Sequence, residues 1–517
     1  MTATALLTWV EDQRRDAISV LDPETQRAHA QYFTPSAIAT LMAGMLTPRT
    51  GHYRLLDAGA GIGVLAAHAV AHLLDRDDRP ASLHVTAYEI DQTLQPRLTS
   101  VLERCAAFAS EREVSLTFDI RSRDFLADAC ALLAIPTDRY DGVILNPPYG
   151  KINTGSEARK LARTLGAEVP NIYAAFWTAA VRMGKRGADV VAITPRSFCN
   201  GTYFTDFRRF LLGAGALRRL HVFDARDEAF SDHSVLQENL ITLMTVGATP
   251  DTVVVTAQSA PAATIRERTV PYARVIQPND TERFIHVVPD ANADLAAAFM
   301  GRMGCTLTDL SIGVSTGPVV DFRATDLLRR EPADDTIALL YPAHLRDGKV
   351  AWSPKNGKKP VSIQESGAAA RRLLVPDGPY VLVKRFTAKE ERRRVVAALY
   401  GGDASSGHRV AIENHLNYLH RHGGPLDDDF AVGLVIYLNS SHVDDYLRQF
   451  SGHTQVNAGD LRSLRYPTVA ILTTIGAKAD TARLADPTYF DQLTASEAAA
   501  PDRDTSQESG PQRQPVA

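Results

Sequence analysis

"LLDAGAGIGVL" (residues 55–65) is an apolar run that ends in Asp57 and turns through Gly59, Gly61 and Gly63 into a second apolar run. The first run predicts a buried strand. The glycines predict a tight turn where the backbone can approach a ligand without interference from Cβ atoms. The stretch therefore predicts a strand, a ligand-binding loop and the start of a helix, in that order.

The alternation of strand and helix continues along the first half of the chain. Further strand-like runs are "LHVTAYEID" (83–91) and "YDGVILNPP" (140–148), and helical periodicity begins near Val64 and again near Leu94. The runs "GADVVAITP", "LRRLHVFDA" and "NLITLMTVG" extend the pattern to residue 247. Strands that alternate with helices predict an α/β fold with an open, mostly parallel sheet covered on both faces.

Length and composition predict a globular protein of two domains. The 517 residues are 45% hydrophobic and 22% charged, and the chain contains neither a membrane-spanning apolar run nor a signal peptide, so we expect a cytoplasmic protein. The four cysteines are scattered, which predicts neither a disulfide framework nor a metal site. We expect an N-terminal helical segment (1–24), a first domain (25–300), a second, mixed α/β domain (301–475) and a largely disordered tail (476–517).

Positive charge is concentrated in the second half of the chain. The net charge is −4, yet residues 341–395 hold 13 Lys and Arg against 5 Asp and Glu. Such a basic stretch is typical of a phosphate-facing surface, although a solvated basic face gives the same count.

Acidic residues at successive strand ends indicate which ligand the glycine loop binds. Asp57 suits a cationic amine, and Glu89 follows the next strand, where a carboxylate can accept from both ribose hydroxyls. Asp124 and Phe125 could meet the amino group and ring of an adenine. S-adenosylmethionine accounts for all these groups. NAD is the competing ligand, but its G-x-G-x-x-G pattern is replaced here by G-x-G-x-G.

The sequence "NPPY" (146–149) ends the fourth predicted strand, beside the expected ligand crevice. The Asn146 side-chain oxygen and the Pro147 carbonyl can accept the two N–H bonds of an exocyclic amine, which aims the nitrogen lone pair at a methyl donor. Pro147 and Pro148 hold these acceptors rigid, and Tyr149 can stack on the planar group. The motif therefore predicts methyl transfer to a ring amino or amide nitrogen.

The ordered motifs "QYFTPSAIATLM", "DAGAGIG", "EID", "DFL" and "NPPY" resemble those of the amino DNA methyltransferases of the N6-adenine gamma class, of the TaqI-like and PstI/BsuBI type. The resemblance implies a Rossmann-like methyltransferase domain and a flipped adenine held by residues 146–149 and stacked between Tyr149 and Phe230. It implies that the methionine end of the cofactor meets Thr34. The implied cofactor residues are Thr34, Asp57, Ala58, Gly59, Gly61, Gly63, Glu89, Ile90, Asp124 and Phe125.

The second domain also resembles the target-recognition region of these enzymes, at "GVSTGPVVDF" (313–322) and at residues 450–467. The basic stretch lies between these two segments. From it and from "HTQVNA" we expect contacts with double-stranded DNA by Lys384, Arg385, Arg392, Arg393, His453, Gln455 and Asn457.

These observations predict a site-specific adenine methyltransferase that protects host DNA from a partner restriction endonuclease. A protein glutamine or RNA amino-group methyltransferase shares the NPPY chemistry, but the large basic second domain favours DNA. Nuclease activity at "PDGPYVLVK" (376–384) is rejected because Leu382 stands where the second carboxylate should be. The intact 146–149 set argues against a DNA-binding scaffold without catalysis.

Overall fold

The computed structural model describes residues 1–20, 33–133, 139–223, 238–258, 264–353, 357–387, 391–402, 409–452 and 454–498. The chain divides into two compact units. The first contains residues 1–298, 388–392 and 445–463, and the second contains residues 299–387, 393–444 and 464–517.

The first unit alternates strands and helices. Its strands are β1 (His52–Ala58), β2 (Ser82–Tyr88), β3 (Ser115–Arg121), β4 (Tyr140–Leu145), β5 (Gly184–Pro195), β6 (Gly215–Phe223), β7 (Asn239–Val246), β8 (Thr252–Gln258) and β9 (Arg266–Pro271). Its helices are α1 (Ala3–Val20), α2 (Ser36–Ala43), α3 (Val64–Leu74), α4 (Gln95–Ser110), α5 (Phe125–Leu133), α6 (Glu157–Leu165), α7 (Ile172–Met183), α8 (Thr205–Ala214) and α9 (Tyr272–Val275), and α10 (Ala291–Arg302) crosses into the second unit.

The described strands of this unit form one nine-stranded sheet in the order β3-β2-β1-β4-β5-β7-β6-β8-β9. Strands β1 to β5 are parallel, and β7 runs antiparallel between β5 and β6. The predicted α/β fold with an open, mostly parallel, Rossmann-like sheet is confirmed, and β7 and β9 are antiparallel strands within it. Strands β1 and β4 are neighbours at the point where the strand order reverses, which is where doubly wound sheets bind ligands.

Apolar side chains cover both faces of the sheet. One core contains Ile144, Ile193 and Ile241 together with buried residues of α1 to α4. The other core contains Leu145, Ala192 and Leu240 together with residues of α5 to α8. Consecutive strand residues divide between the two cores because side chains alternate across a strand. Both faces are therefore buried, which leaves the strand ends as the place for a site.

Two smaller sheets make up the strand content described in the second unit. One has the order β10-β20-β17-β18-β14-β13 and the other the order β11-β15-β12-β19-β16. Their strands are β10 (Gly313–Thr316), β11 (Leu328–Arg329), β12 (Thr336–Leu340), β13 (Leu345–Arg346), β14 (Lys349–Val350), β15 (Ser362–Gln364), β16 (Leu374–Pro376), β17 (Tyr380–Lys384), β18 (Ala397–Tyr400), β19 (Arg409–Ile412) and β20 (Leu416–His420).

Helices accompany these sheets: α11 (Ala368–Arg371), α12 (Asp428–Leu438), α13 (Ser441–Phe450), which crosses into the first unit, α14 (Ala458–Ser463) in the first unit, α15 (Val469–Lys478) and α16 (Tyr489–Ala498). Helices α12 and α15 approach closely through Gly433 and Gly476. A Cβ atom at Gly433 would lie 1.9 Å from the carbonyl oxygen of Leu472, so a side chain there would separate the helices.

Two expectations about domain limits differ from the structure. Residues 445–463, which we expected in the second domain, belong to the first unit because buried hydrogen bonds join them to the loop after β5. The expected disordered tail is folded at its start: α16 follows α15, and Phe490 is buried against Phe299 and Tyr437. Three large aromatic side chains supply enough apolar contact to order that segment. Residues 499–517 lie outside the described part of the chain.

Candidate active site

The glycine loop connects β1 to α3 as the sequence predicts. Gly59, Gly61 and Gly63 all have positive φ angles, of 90°, 56° and 91°. A Cβ atom at Gly61 would lie 2.9 Å from the ring of Phe33, so glycine is required for close approach as well as for conformation. The backbone N–H groups of Gly59 and Ala60 both donate to the carbonyl of Tyr88, which fixes the loop against the end of β2. Ala58, the last residue of β1, is buried.

Asp57 is fully buried at the end of β1. Its Oδ2 accepts from the backbone N–H of Ala66 at 3.0 Å, whereas its Oδ1 is buried and has no hydrogen-bond partner among the described residues. Burial raises the pKa of Asp57 to about 7. An anionic oxygen left without a partner is costly unless a ligand supplies a donor. The amino group of S-adenosylmethionine would supply one, so this atom fits that cofactor.

Glu89 stands at the end of β2 with both carboxylate oxygens oriented. Oε2 accepts from the backbone N–H of Gly61 at 2.8 Å, and Oε1 accepts from that of Asp91 at 2.7 Å. Burial raises the pKa of Glu89 above its usual value. Each oxygen retains a further lone pair, which suits a ribose diol. The adjacent Ile90 exposes 67% of its surface, an unusual position for an apolar side chain unless a ring covers it.

Asp124 and Phe125 occupy the start of α5 rather than the end of β3. Asp124 is exposed, and its Oδ1 accepts from the backbone N–H of Ala127 at 2.8 Å, as a helix-capping residue does. Phe125 is buried, with its ring centroid 5.0 Å from that of Tyr88 and 5.4 Å from that of Phe176. Asp124 therefore caps the N-terminus of α5, and Phe125 packs in the core against Tyr88, whose carbonyl holds the glycine loop.

Asn146 follows β4 directly. Its Nδ2 donates to Thr34 Oγ1 at 3.1 Å, and its Oδ1 accepts from the hydroxyl of Tyr149 at 3.1 Å. The two contacts orient the carboxamide with Oδ1 as the acceptor, and Oδ1 can accept a second hydrogen bond. Thr34 is buried immediately before α2. The structure thus brings the predicted cofactor residue Thr34 and the predicted catalytic residue Asn146 into direct contact.

Tyr149 is half-buried, and its hydroxyl also lies 3.2 Å from the carbonyl oxygen of Ile193 in β5. Its ring packs edge-on against Tyr173, with centroids 6.3 Å apart, and Tyr173 Oη lies 2.9 Å from Ser197 Oγ. Pro147 is buried and Pro148 is half-buried. The loop is therefore held by the ends of β4 and β5 and by α7.

His68 holds α2 in position. Its Nε2 lies 3.2 Å from Ser36 Oγ and its Nδ1 lies 3.0 Å from Thr40 Oγ1, so one imidazole joins α3 to two turns of α2. Burial lowers the pKa of His68 to about 4, which keeps the ring neutral and able to donate at one nitrogen and accept at the other. Because Thr34 precedes α2, this contact contributes to the position of Thr34.

The loop after β5 is held by a buried arginine that the sequence did not indicate. Arg208 is fully buried, and its guanidinium donates to the carbonyls of Phe198, Asn200 and Gly201 and to that of Glu282. Local sequence gives no signal for an arginine of this kind, because its partners are carbonyl groups of a turn. The dipeptide Asn200-Gly201 does predict a turn.

Asn200 also joins the loop to the segment 452–460. Its Nδ2 donates to Asp460 Oδ1 at 3.0 Å, and both residues are buried. Asp460 Oδ2 accepts from the backbone N–H of Asn457 at 2.8 Å, the arrangement expected of an acidic residue in the first turn of a helix. Asn457 therefore stands at the N-terminus of α14, and Gln455 is half-buried just before it. Both lie in the first unit rather than in the second.

The expected DNA-contacting residues occupy different environments. Arg392 is exposed, and Lys384 and Arg385 are half-buried at the end of β17. Arg393, by contrast, donates to the carbonyls of Asn439, Ser440 and Ala485, so its guanidinium is engaged within the second unit. The neighbouring Arg394 is 1% exposed and could not reach a phosphate. The expected residues Phe230 and His453 lie outside the described residues.

Neither a metal-binding cluster of His, Cys, Asp and Glu nor a helix long and apolar enough to cross a membrane is found in the described residues.

Comparisons with known proteins connect this geometry to a family. Residues 92–230 match the family model of the Eco57I restriction-modification methylase. The chain is 40% identical over 475 residues to the type II methyltransferase M.PstI of Providencia stuartii, covering 91% of this chain and 93% of that protein. It is also 40% identical over 455 residues to the type II methyltransferase M.BsuBI of Bacillus subtilis, covering 86% and 89% of the two chains.

Similarity to a solved structure extends over nearly the whole chain. The type IIL restriction-modification enzyme MmeI, whose structure was solved in complex with DNA, superposes with a TM-score of 0.52. The match covers 97% of this chain and 76% of that one at 10% sequence identity. At this identity the likeness concerns the fold.

Proposed function

The chain belongs to the type II methyltransferases of restriction-modification systems, and on this basis we propose that it methylates the N6 amino group of one adenine within a specific sequence of double-stranded DNA. S-adenosylmethionine is its methyl donor. Methylation of DNA by such enzymes protects host DNA. A restriction endonuclease with the same recognition sequence completes the proposed system.

The orientation of Asn146 is the observation that carries the choice of an amino nitrogen. The Asn146 Oδ1 and the Pro147 carbonyl are two acceptors on consecutive residues, and Thr34 and Tyr149 fix the first of them. The amino nitrogen of adenine is a poor nucleophile because its lone pair is delocalised into the ring. Two acceptors that take both N–H bonds favour a tetrahedral nitrogen and aim the lone pair away from the ring.

Cofactor binding is assigned to residues at the ends of β1 and β2. Asp57 Oδ1 accepts from the cofactor amino group, Glu89 accepts from the ribose hydroxyls, and Ile90 covers one face of the adenine. Ala58, Gly59, Gly61 and Gly63 provide the backbone of the pocket, Thr34 meets the methionine end, and Asp124 and Phe125 border the adenine. The methyl sulfonium of the cofactor supplies the electrophilic methyl group.

The transfer needs no strong general base. The bound cofactor would supply the methyl group, with the electron pair of the S–CH₃ bond staying on sulfur, and the amino nitrogen held by Asn146 and Pro147 would gain the positive charge. The nitrogen is then strongly acidic and loses a proton to water or through Asn146. Tyr149 stacks on the adenine, which is extruded from the duplex at a cost of a few kcal/mol because a stacked base cannot reach the site. We assign the opposite stacking face to Phe230.

Contacts with the duplex are assigned to residues that have donors available. Lys384, Arg385 and Arg392 bind DNA, and we assign the same role to Gln455 and Asn457, whose segment Asp460 joins to Asn200 in the loop after β5. We assign the same role to His453. We withdraw Arg393 from this set because backbone carbonyls already engage its guanidinium.

Single-molecule sequencing of DNA from cells that express the protein tests the proposal. N6-methyladenine at one recurrent sequence, absent from cells that express Asn146→Ala, is the expected result. Cytosine N4 methylation at a recurrent sequence would contradict the adenine assignment. Absence of modified bases from the DNA of cells that express the wild-type protein would indicate a protein or RNA amino group as the substrate instead.

A further inference from the structure

Two turns of the second unit meet at one end of its six-stranded sheet. Strand β17 ends at Lys384 and is the antiparallel neighbour of β20, which begins at Leu416. The backbone N–H of Arg385 donates to the carbonyl of His415 at 2.9 Å, so the two turns are joined immediately beyond the strands. We call the side chains of Arg385, Phe386 and His415 at this end the turn cluster.

A buried carboxylate fixes the imidazole of His415. The side chain of Glu413 is 1% exposed, contacts His415 Nδ1, and accepts from the backbone N–H of His415 at 2.9 Å. Because a carboxylate can only accept, Nδ1 carries the proton that it donates to Glu413, and Nε2 is the acceptor of the neutral ring. The side chain of His415 is 43% exposed. No described residue bonds Nε2. The histidine is thus rigid, with one polar atom available to a ligand.

The other two members of the turn cluster are also fixed. Phe386 is 41% exposed, and its ring centroid lies 4.8 Å from that of His415. Arg385 places its guanidinium carbon 5.7 Å from the Phe386 ring centroid and donates from Nη1 to the carbonyl of Asn414 at 3.2 Å. The remaining guanidinium N–H groups have no partner among the described residues. An exposed ring is therefore flanked by two side chains with fixed orientation and unused polar atoms.

Glycine makes this arrangement possible. A Cβ atom at Gly317 would lie 2.2 Å from the carbonyl oxygen of Glu413, so only a glycine lets the segment after β10 pass over the Glu413 turn. The same segment accepts from the backbone N–H of Asn414 at the carbonyl of Val319 (2.8 Å), and the backbone N–H of Glu413 donates to the carbonyl of Leu340, the last residue of β12, at 3.0 Å. The turn that carries Glu413 and His415 is thereby enclosed by backbone, which accounts for the burial of the carboxylate.

The cluster is better suited to base edges than to phosphates. A mobile cation binds a phosphate well, whereas discrimination between bases requires donors and acceptors at fixed positions and angles. Burying a carboxylate costs several kcal/mol, a cost that a merely solvated basic face does not incur. Arg385 and Phe386 also lie within residues 341–395, the stretch with 13 Lys and Arg against 5 Asp and Glu.

We propose that Arg385 and His415, with Phe386 packed between them, read base edges of the recognition sequence in the major groove. Glu413 acts as a positioning residue through His415. The guanidinium donors of Arg385 fit the acceptor-rich edge of guanine best, and His415 Nε2, which accepts in this tautomer, fits the exocyclic amino group of adenine or cytosine. The inference rests on the proposed function, because it supposes that the substrate is duplex DNA.

Methylation kinetics with the full-length protein test this inference. Arg385→Gln and His415→Ala are compared with Arg372→Gln, which removes an exposed charge from the same basic stretch. The substrates are a duplex that carries the recognised sequence and duplexes with single base-pair replacements. We expect KM for the recognised duplex to rise about tenfold and discrimination to fall at one or two base pairs. We expect kcat at saturating DNA and cofactor affinity to stay within about threefold of wild type.

Glu413→Gln should shift KM and discrimination in the same direction by a smaller factor, which a purely structural role of the carboxylate would not do. Thermal unfolding of each variant shows whether it is folded. His415→Ala changes a half-exposed side chain, so it remains informative even if Glu413→Gln, which changes a buried one, is destabilised. Unchanged KM and discrimination in both Arg385→Gln and His415→Ala would overturn the inference. A loss of equal size on every duplex, with a weaker salt dependence, would identify phosphate contacts and also overturn it. Absence of DNA methylation by the wild type would instead remove the proposed function.

Discussion

The carboxamide of Asn146 donates a 3.1 Å hydrogen bond to the hydroxyl of Thr34, which lies 112 residues earlier in the chain. The bond joins the end of β4 to the residue that leads into α2. Because Thr34 is assigned to the methionine end of the cofactor and Asn146 to the target amine, a single hydroxyl connects the two substrates. The contact explains how a segment before the glycine loop can influence the transfer step.

Replacement of Thr34 by valine should show whether the orientation of the Asn146 carboxamide affects methyl transfer more than it affects DNA binding. The valine keeps the volume but removes the hydroxyl that accepts from Nδ2 of Asn146, so the carboxamide is held less firmly in its orientation. We expect kcat to fall about tenfold or more, with a smaller effect on KM for DNA. Steady-state methylation of a duplex measures both constants. Thr34→Ser, which retains the hydroxyl, should keep most of the activity, and an equal loss in both variants would contradict the role given to the bond.

Replacement of Asp57 by asparagine should stabilise the cofactor-free protein while weakening cofactor binding. The pKa of Asp57 in the folded protein is about 7, above its ordinary value of 3.8. Stability conferred by the neutral carboxyl is present below about pH 4 and is lost as the pH rises to about 7. Asparagine cannot ionise, so the free energy of unfolding above pH 7 should increase by about 1–3 kcal/mol.

Denaturant unfolding of the Asp57→Asn variant at pH 5 and pH 8 checks the sign of this effect. The gain should be larger at pH 8, whereas the exposed control Asp119→Asn should show no comparable gain. Titration calorimetry should show at least about tenfold weaker binding of S-adenosylmethionine by Asp57→Asn. A gain confined to pH 5, or unchanged cofactor affinity, would be inconsistent with a buried acceptor for the amino group.

The buried pair of Asn200 and Asp460 should couple two distant parts of the first unit. A double-mutant cycle with Asn200→Ala and Asp460→Ala measures the interaction without the other contacts of each residue. We expect a coupling free energy of about 1–2 kcal/mol, because the hydrogen bond is charge-assisted and shielded from water. Additive effects of the two substitutions on the free energy of unfolding would mean that the contact contributes nothing specific.

Of the adjacent residues Arg392 and Arg393, the first should contribute to DNA binding and the second to the stability of the fold. Arg393→Ala removes a guanidinium that donates to three backbone carbonyls, so the free energy of unfolding should fall by about 1–3 kcal/mol. Arg392→Ala removes an exposed cation and should leave stability nearly unchanged. DNA affinity measured at several salt concentrations should then show a slope reduced by about one for Arg392→Ala. Equal destabilisation by the two substitutions would refute this division of roles.

Much of the site could be predicted because its residues are consecutive in the chain. Positive φ angles at Gly59, Gly61 and Gly63 follow from a tight turn, and acidic residues at strand ends meet at one edge because parallel strands end there. Composition was a poorer guide to the second half. Arg393 and Arg394 belong to a basic stretch, yet their environments differ from that of Arg392 because burial depends on the fold around them. The segment 479–498 is polar on average but retains aromatic residues that pack.

The sequence by itself determined the alternation of strands and helices, the glycine loop and the rigid acceptors of residues 146–149, since each of these depends on neighbouring residues alone. The tertiary structure decided which side chains hold those parts in place: Thr34 on Asn146, His68 under α2, Arg208 and Asp460 around the loop after β5, and Glu413 behind His415. A buried hydrogen bond needs a partner at about 3 Å, and only the folded chain brings such partners together from distant positions.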